Sequence, residues 1–346
     1  MKFTLHQIAT LLNGEIEGDE KQEVYTLSKI EEAKKGAISF LANPKYESFL
    51  YTTEATAVIV NAQFKPQKAF KSALIRVNDP YSSFTLLLEE YQKAISSQKI
   101  GVEQPSYIGE QCQIGSNIYR GAFSYIGNNV SIGNNSKVYP QAYIGDNVSI
   151  GENCLIFSGA KIYARTKIGD NCVIHAGAVI GSDGFGFAPQ KDGSYKAIPQ
   201  LGNVVLEDNV SIGANTTIDC ATLDSTIIKQ GAKLDNLIQI AHNAEVGENT
   251  VIAAQSGVSG SSKVGKNCVI AGQVGIVGHL TIADRTTVAA QSGISKSVEK
   301  PGTVKMGSPG FDIKEYMRCY AAFRNLPELR QRVKQLEEKI LNLPAK

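Results

Sequence analysis

Aliphatic residues recur at every sixth position over more than half of the chain. Stepping by six from Ile108 gives Ile114, Arg120, Ile126, Ile132, Val138, Ile144, Ile150, Ile156, Ile162, Ile168, Ile174 and Ile180. Arg120 is the one departure in that run. A second frame holds Leu206, Ile212 and Ile218. A third runs unbroken from Ile228 through Leu234, Ile240, Val246, Ile252, Val258, Val264, Ile270, Ile276, Ile282 and Val288 to Ile294. Gly often follows the aliphatic position, and Asn often sits two places after that Gly. A period of six fits neither the helical 3.6 nor the strand period of 2. It fits a triangular coil of 18 residues, with one short strand per side and the aliphatic side chain inward. Gly and Asn tolerate the left-handed backbone that the corners need. The pattern predicts a mainly β fold, a left-handed parallel β-helix spanning residues 101–306.

Cys112, Cys154, Cys172 and Cys268 each lie four places after an aliphatic position, where Val130, Val148 and Ala160 also sit. That is a second, small inward slot, so these thiols read as buried filler rather than as metal or redox groups. The frame breaks twice. Residues 182–203, "SDGFGFAPQKDGSYKAIPQLGN", are too long for a corner and have the look of a functional loop. Their "GFGF" lacks the third Gly and the following helix of a dinucleotide fingerprint. The second break lies between Ile218 and Ile228.

Residues 1–100 lack the repeat and read as a small α/β domain. A helix in "TLHQIATLLNG" is closed by Asn13-Gly14, and a second starts at Pro80 with Asp79 as cap. Two strands are expected in "TEATAVIVN" and "KSALIRVND". The loop "ISFLANPKYESFL" gathers Phe40, Asn43, Lys45 and Tyr46. It is either a surface loop with core aromatics or a base-stacking recognition loop. Residues 307–346 read as C-terminal helices. Leu326, Leu329, Val333, Leu336, Ile340 and Leu343 form a coiled-coil-like seam that is too short to stand alone and is expected to pack on its copies. Residues 311–346 carry eight Lys or Arg against five Asp or Glu, net +3. That face either meets an acidic partner or is solvated.

The whole chain is nearly neutral, with 35 Lys and Arg against 33 Asp and Glu, so bulk charge gives no case for nucleic acid. No window reads as a membrane span or a signal peptide, which leaves at most peripheral membrane contact. Six cysteines without CxxC pairing fit a cytoplasmic protein.

Four histidines remain. His242 lies two places after the core position Ile240, near a corner and pointing outward. Gly260 is 18 residues on, directly above it. His279 is two coils and one place further, on the same edge. The frame breaks leave His175 unplaced, and His6 belongs to the first domain. A neutral imidazole at a corner can act as a general base near neutral pH. On the same side, Gln239, Gly257, Gly275 and Gly293 are spaced by 18 and form a column. Three glycines leave either a corner backbone or the smooth floor of a groove. Three coil steps span ~14 Å at strand spacing, room for about 11 carbons of an extended acyl chain at ~1.3 Å each.

The ordered strings "FLANPKYE", "GSDGFGFAP", "TIDCATLDSTII", "LDNLIQIAHNAEVGENT" and "IVGHLTIAD", followed by a helical tail, resemble the UDP-3-O-(3-hydroxyacyl)glucosamine N-acyltransferases of lipid A synthesis. The likeness covers essentially the whole chain. It departs at "IDCATLDST", where Cys220-Ala221 replace an expected charged residue and Gly. The resemblance implies a homotrimer with sites between neighbouring solenoids, and His242 as the general base. An acyl carrier protein would bring the 3-hydroxyacyl donor to a UDP-sugar lipid acceptor. No metal or dissociable cofactor is implied, because phosphopantetheine arrives on the donor. The Gly260 N–H would meet the oxyanion. His279 and Asn243 would contact substrate. Asp235 would orient the imidazole, with Asp224 as its rival. Phe40 and Tyr46 would hold uracil, with Asn43 and Lys45 on polar parts of the nucleotide. Gly257, Gly275 and Gly293 would line the acyl groove. Alternatives are another nucleotide-sugar N-acyltransferase, a zinc enzyme like the γ-class carbonic anhydrases, and a non-enzymatic solenoid scaffold.

Overall fold

The computed structural model describes residues 2–96, 99–307 and 313–341. The chain forms two compact units, Met1–Lys99 and Ile100–Lys346.

The first unit opens with helix α1 (Leu5–Leu12), which starts in a reciprocal capping box between Thr4 and Gln7 and stops at Asn13 in the left-handed conformation (φ 49°). A mixed five-stranded sheet follows, with Ala57–Asn61 at its centre, parallel to both Ala37–Leu41 and Ala73–Val77. Central strands buried on both faces read as continuous apolar runs; Val58, Ile59 and Val60 are all fully buried. Helix α2 (Pro80–Ser96) starts where Asp79 accepts the N–H groups of Tyr81 and Ser82.

The second unit is the solenoid. Among the described residues its three parallel faces hold eleven, ten and nine strands. Face 1 starts at Gly101–Val102, face 2 at Tyr107–Ile108 and face 3 at Gln113–Ile114. Equivalent residues stack in strict register, as in Ile126↔Ile144 and Ile144↔Ile162. Ile126, Ile144, Ile156, Ile162, Ile174 and Ile180 are fully buried, each stabilising by about 1.5–3 kcal/mol. Asn117, Asn129, Asn147, Asn171, Asn249 and Asn267 occupy left-handed corners with φ of 53–59°.

Cys154, Cys172 and Cys268 are fully buried in the small slot. Burial pushes the thiols of Cys220 and Cys268 up, so they stay protonated. Cys112, Cys154 and Cys268 point Sγ at the carbonyl fifteen residues on, as the hydroxyls of Ser136, Thr250, Ser256 and Ser262 do. At these positions the slot holds either a small apolar group or one donor satisfied by the next coil.

The tail is one helix, α3 (Ile313–Leu341), where the sequence suggested more than one; it continues through Pro327. Leu326, Leu329, Val333, Leu336 and Ile340 are 45–65% exposed, and Leu343 lies outside the described residues. Among the described residues no helix is long and apolar enough to cross a membrane.

The corners provide a direct test. The Asn147 side chain makes no hydrogen bond, so its left-handed φ of 59° is its structural demand. Asn147→Val is expected to lose about 1–2 kcal/mol of stability, and Asn147→Gly to be near neutral. Thermal or denaturant unfolding of both variants checks this; equal stability would show that the corners do not select residue type.

Candidate active site at the corner between faces 2 and 3

His242 sits at the turn between Gln239–Ile240 on face 2 and Glu245–Val246 on face 3. The ring is held between two glycines. A methyl at Gly260, one coil up, would lie 2.7 Å from Nε2 and 2.8 Å from Cε1; a methyl at Gly184 would lie 2.8 Å from the His242 Cβ. Gly184 belongs to the first frame break, so that long loop backs the imidazole. Its remainder is a hairpin, Phe187–Pro189 against Tyr195–Ala197.

The second frame break completes the setting. The end of the loop zips onto it through the N–H groups of Leu201, Gly202 and Asn203, which meet the carbonyls of Thr222, Ala221 and Asp224. That segment fixes Asn243: its Oδ1 accepts the Thr222 N–H (3.1 Å), and its Nδ2 donates to the Leu223 carbonyl (2.8 Å). The same Oδ1 lies 3.2 Å from His242 Nδ1. An amide oxygen can only accept, so this contact selects the tautomer protonated at Nδ1 and leaves the Nε2 lone pair free.

The orienting partner of His242 is thus Asn243, where the sequence pointed to Asp235 with Asp224 as its rival. Asp235 lies at the corner between faces 1 and 2, with its carboxylate on the Ala254 N–H and the Asn236 amide. Asp224 is exposed at a left-handed turn (φ 65°). Asn243, expected among the substrate contacts, spends its amide inside the chain. His279 stands exposed at a left-handed position, its N–H on the Gly260 carbonyl, which puts it on the His242 edge as the spacing indicated. His175 stacks on Phe157 at 5.1 Å, at the corner between faces 1 and 2.

Sequence reasoning missed Asp219. It lies 7% exposed at the end of the strand paired with Gln239–Ile240. Gln239 Nε2 donates to its carboxylate at 2.8 Å and Ser182 Oγ at 3.3 Å. Burial pushes its carboxyl above the usual range, opposed by those two hydrogen bonds and by the attraction of His242. The signal was a charged residue directly after core Ile218, at the mouth of a frame break.

Amides at this corner are elsewhere capped from the coil above: Asn128 Oδ1 takes the Glu110 N–H and Asp146 Oδ1 the Asn128 N–H. In the His242 column the next residues are Gly260 and Gly278, which have no side chain to cap with. Among the described residues no acceptor takes the Gly260 N–H. It remains a donor beside Nε2.

Beside the ring runs a groove of about 570 Å³, lined by Phe185, Gln239, Gly257, Gly275, Val277 and Gly293 among others. Gly257, Gly275 and Gly293 pair residue by residue with Gln239 at the foot of the column. None has positive φ, and a methyl on any of them would meet nothing within 4 Å. Neither a corner backbone nor packing within the chain explains the glycines; an open floor does. Phe185, 85% exposed, overhangs this floor.

In the first unit, Phe40 stacks on Phe84 at 4.3 Å and meets Tyr81 edge-on. Tyr46 is half-exposed near Phe49. Asn43 caps the short helical turn Pro44–Tyr46 through the Lys45 N–H. Among the described residues no three His, Cys, Asp or Glu side chains gather as a metal-holding group.

Comparison with known proteins adds the following. Residues 21–90 match the family model described as UDP-3-O-(3-hydroxymyristoyl) glucosamine N-acyltransferase, LpxD. Residues 123–157 and 148–182 match the bacterial transferase hexapeptide model. The UDP-3-O-acylglucosamine N-acyltransferase of Cytophaga hutchinsonii is 66% identical over 99% of this chain and 98% of its own. That of Bacteroides thetaiotaomicron is 58% identical over 99% and 98%. Among solved structures, the Arabidopsis UDP-N-acetylglucosamine acyltransferase shares the fold, with TM-score 0.54 and 22% identity over 65% of this chain and 82% of its own.

Asp219 yields a signed test. Its carboxyl is raised in the folded state, so the stability it contributes is present below the ordinary carboxylate range and is lost as pH rises through the folded value. At neutral pH burial of this carboxyl is a net cost. Asp219→Asn is expected to raise Tm at neutral pH, with the gain shrinking toward acid, while turnover falls about tenfold, or about 1.4 kcal/mol of transition-state stabilisation. Melts across pH and steady-state kinetics check this; a variant less stable at neutral pH and fully active would give Asp219 a purely structural role.

Proposed function

The chain belongs to the UDP-3-O-acylglucosamine N-acyltransferase family, and on that premise we propose that it moves a 3-hydroxyacyl group from acyl carrier protein to the 2-amine of UDP-3-O-(3-hydroxyacyl)glucosamine, with His242 as general base. The observation that carries the reading is the Nδ1 contact with Asn243, which leaves the Nε2 lone pair beside Gly260.

In this reading Nε2 takes a proton from the amine as its nitrogen attacks the thioester carbonyl carbon. The C–N bond forms, and the carbonyl oxygen, now an oxyanion, accepts the uncapped Gly260 N–H. Collapse breaks the C–S bond, and the departing thiol of the carrier's phosphopantetheine takes the proton from the imidazolium. The buried charge of Asp219 favours that imidazolium. The acyl chain lies along the glycine floor, with Phe185 above it. Phe40 and Tyr46 are the proposed uracil contacts, with Asn43 and Lys45 near the polar parts, and His279 contacts substrate further up the edge. A homotrimer is supported by the groove, which this chain leaves open, and by the exposed apolar seam of α3. The net +3 tail suits an acidic carrier protein, and the expected setting is the cytoplasm.

His242→Ala is expected to lower kcat by about 10²–10⁴-fold with normal Tm and oligomeric state. The assay combines UDP-3-O-acylglucosamine with 3-hydroxyacyl carrier protein, and UDP-N-acetylglucosamine serves as control acceptor. Activity within a few-fold of wild type in the folded variant rules the base role out.

Gly293→Met is expected to place a thioether across the groove about three coils, or ~14 Å, from His242. Preference should shift to shorter 3-hydroxyacyl chains with kcat for those chains little changed. Competition among carrier proteins bearing graded chain lengths reads this out, and an unchanged length profile would separate the glycine floor from the acyl chain.

A further inference from the structure

Near its first coils the aliphatic ladder has a charged member. Arg120 stands in the inward column of face 1, with Val102 below it and Val138 above. Its Nη1 is buried and without a hydrogen-bond partner. Two further orphans share its corner. Ser124 lies four places on, in the inward slot that follows Arg120, and Ser106 lies directly beneath Ser124, in the slot of the coil below. Both hydroxyls are buried and unpartnered. In the same slot Ser136, Ser256 and Ser262 turn their hydroxyls onto the carbonyl fifteen residues on. Ser106 and Ser124 make no such bond; Thr166, near the first frame break, also lacks one.

The carboxylate of Glu103, which neighbours Arg120 across the sheet, is turned to the Tyr119 hydroxyl and the Ala122 N–H. Among the described residues Nη1 of the half-buried Arg120 has no acceptor, although a buried donor on a charged group is costly unless paired. In the first coil Val102, Ile108 and Ile114 are 36–49% exposed, whereas Ile126 and Ile132 in the coil above are at most 3% exposed.

We propose that Arg120, Ser106 and Ser124 form an internal binding site for a small monovalent anion, a halide or a short carboxylate such as formate. The guanidinium supplies the charge and two donors of fixed geometry, and each hydroxyl supplies one O–H. The bound anion neutralises the cation that Arg120 places in the ladder. This site lies in the first two coils and is independent of the chemistry at His242.

The test is thermal unfolding of the full-length protein in graded sodium chloride and, separately, sodium formate, with Arg120→Met measured alongside. A ligand that binds only the folded state stabilises it saturably. The wild type should gain about 2–4 °C in Tm in at least one of the two salts, while Arg120→Met stays flat beyond the general salt response; the better salt identifies the anion class. Parallel responses in wild type and variant overturn the proposal. Should Arg120→Met fail to fold, the Ser106→Ala, Ser124→Ala double variant takes its place in the titration, under the same criterion. Crystals of the wild type in sodium bromide give an independent reading. An anomalous peak within ~3.5 Å of Arg120 Nη1 supports the site, and a lumen holding only water in both bromide and formate crystals overturns it.

Discussion

Outside its two interruptions, each residue of the solenoid stands on the one eighteen places earlier, and that vertical register governs the rest of the structure. The parallel hydrogen bonds that join coils hold the spacing near strand separation. A property of the sequence taken at intervals of 18 therefore becomes a physical column. Aliphatic columns make the core. The Asn and Asp columns at the corners cap the amides below them, as Asp146 caps Asn128. Where a column changes residue type, the surface changes chemistry at that height.

The active corner arises from two such changes. The capping column gives way to His242, Gly260 and Gly278, which admits an imidazole and leaves the Gly260 amide free of a cap. The outward column of face 2 gives way to Gly257, Gly275 and Gly293, which opens a floor beside that imidazole. Nothing in the backbone demands these glycines, since none has positive φ and a side chain would meet no neighbour. They are absences of side chain, and the space they leave is the groove beside the imidazole.

The two interruptions of the repeat work as one piece. The segment after Ile180 returns to lay Gly184 against His242, and the segment after Ile218 supplies the Thr222 N–H and Leu223 carbonyl that hold Asn243. Their backbones are hydrogen-bonded to each other at Leu201, Gly202 and Asn203. A regular solenoid has straight edges with no concavity deep enough to hold a ring. The insertions break that regularity at one height and fix the ring's tautomer. Asp219 sits where they join, buried at a cost to stability that a functional corner can carry.

The sequence alone determined the fold of the second unit. A period of six admits one architecture, and the period also gave the inward columns, the left-handed corners, His242 and His279 on one edge, Gly260 above His242, and the glycine column. The ends of α1 and α2 were equally readable, because Asn13 and Asp79 are local signals acting within one turn. What orients the imidazole was not readable. Asp235, suggested by the family resemblance, belongs to the preceding corner, and the group in contact with Nδ1, Asn243, is held there by Thr222 and Leu223. Asp219 and Gly184 were hidden for the same reason: each lies in a segment that leaves the repeat, where spacing no longer maps to position. Periodicity specifies place wherever the coil is regular. Where it stops, contacts between distant segments decide, and only the tertiary structure contains them.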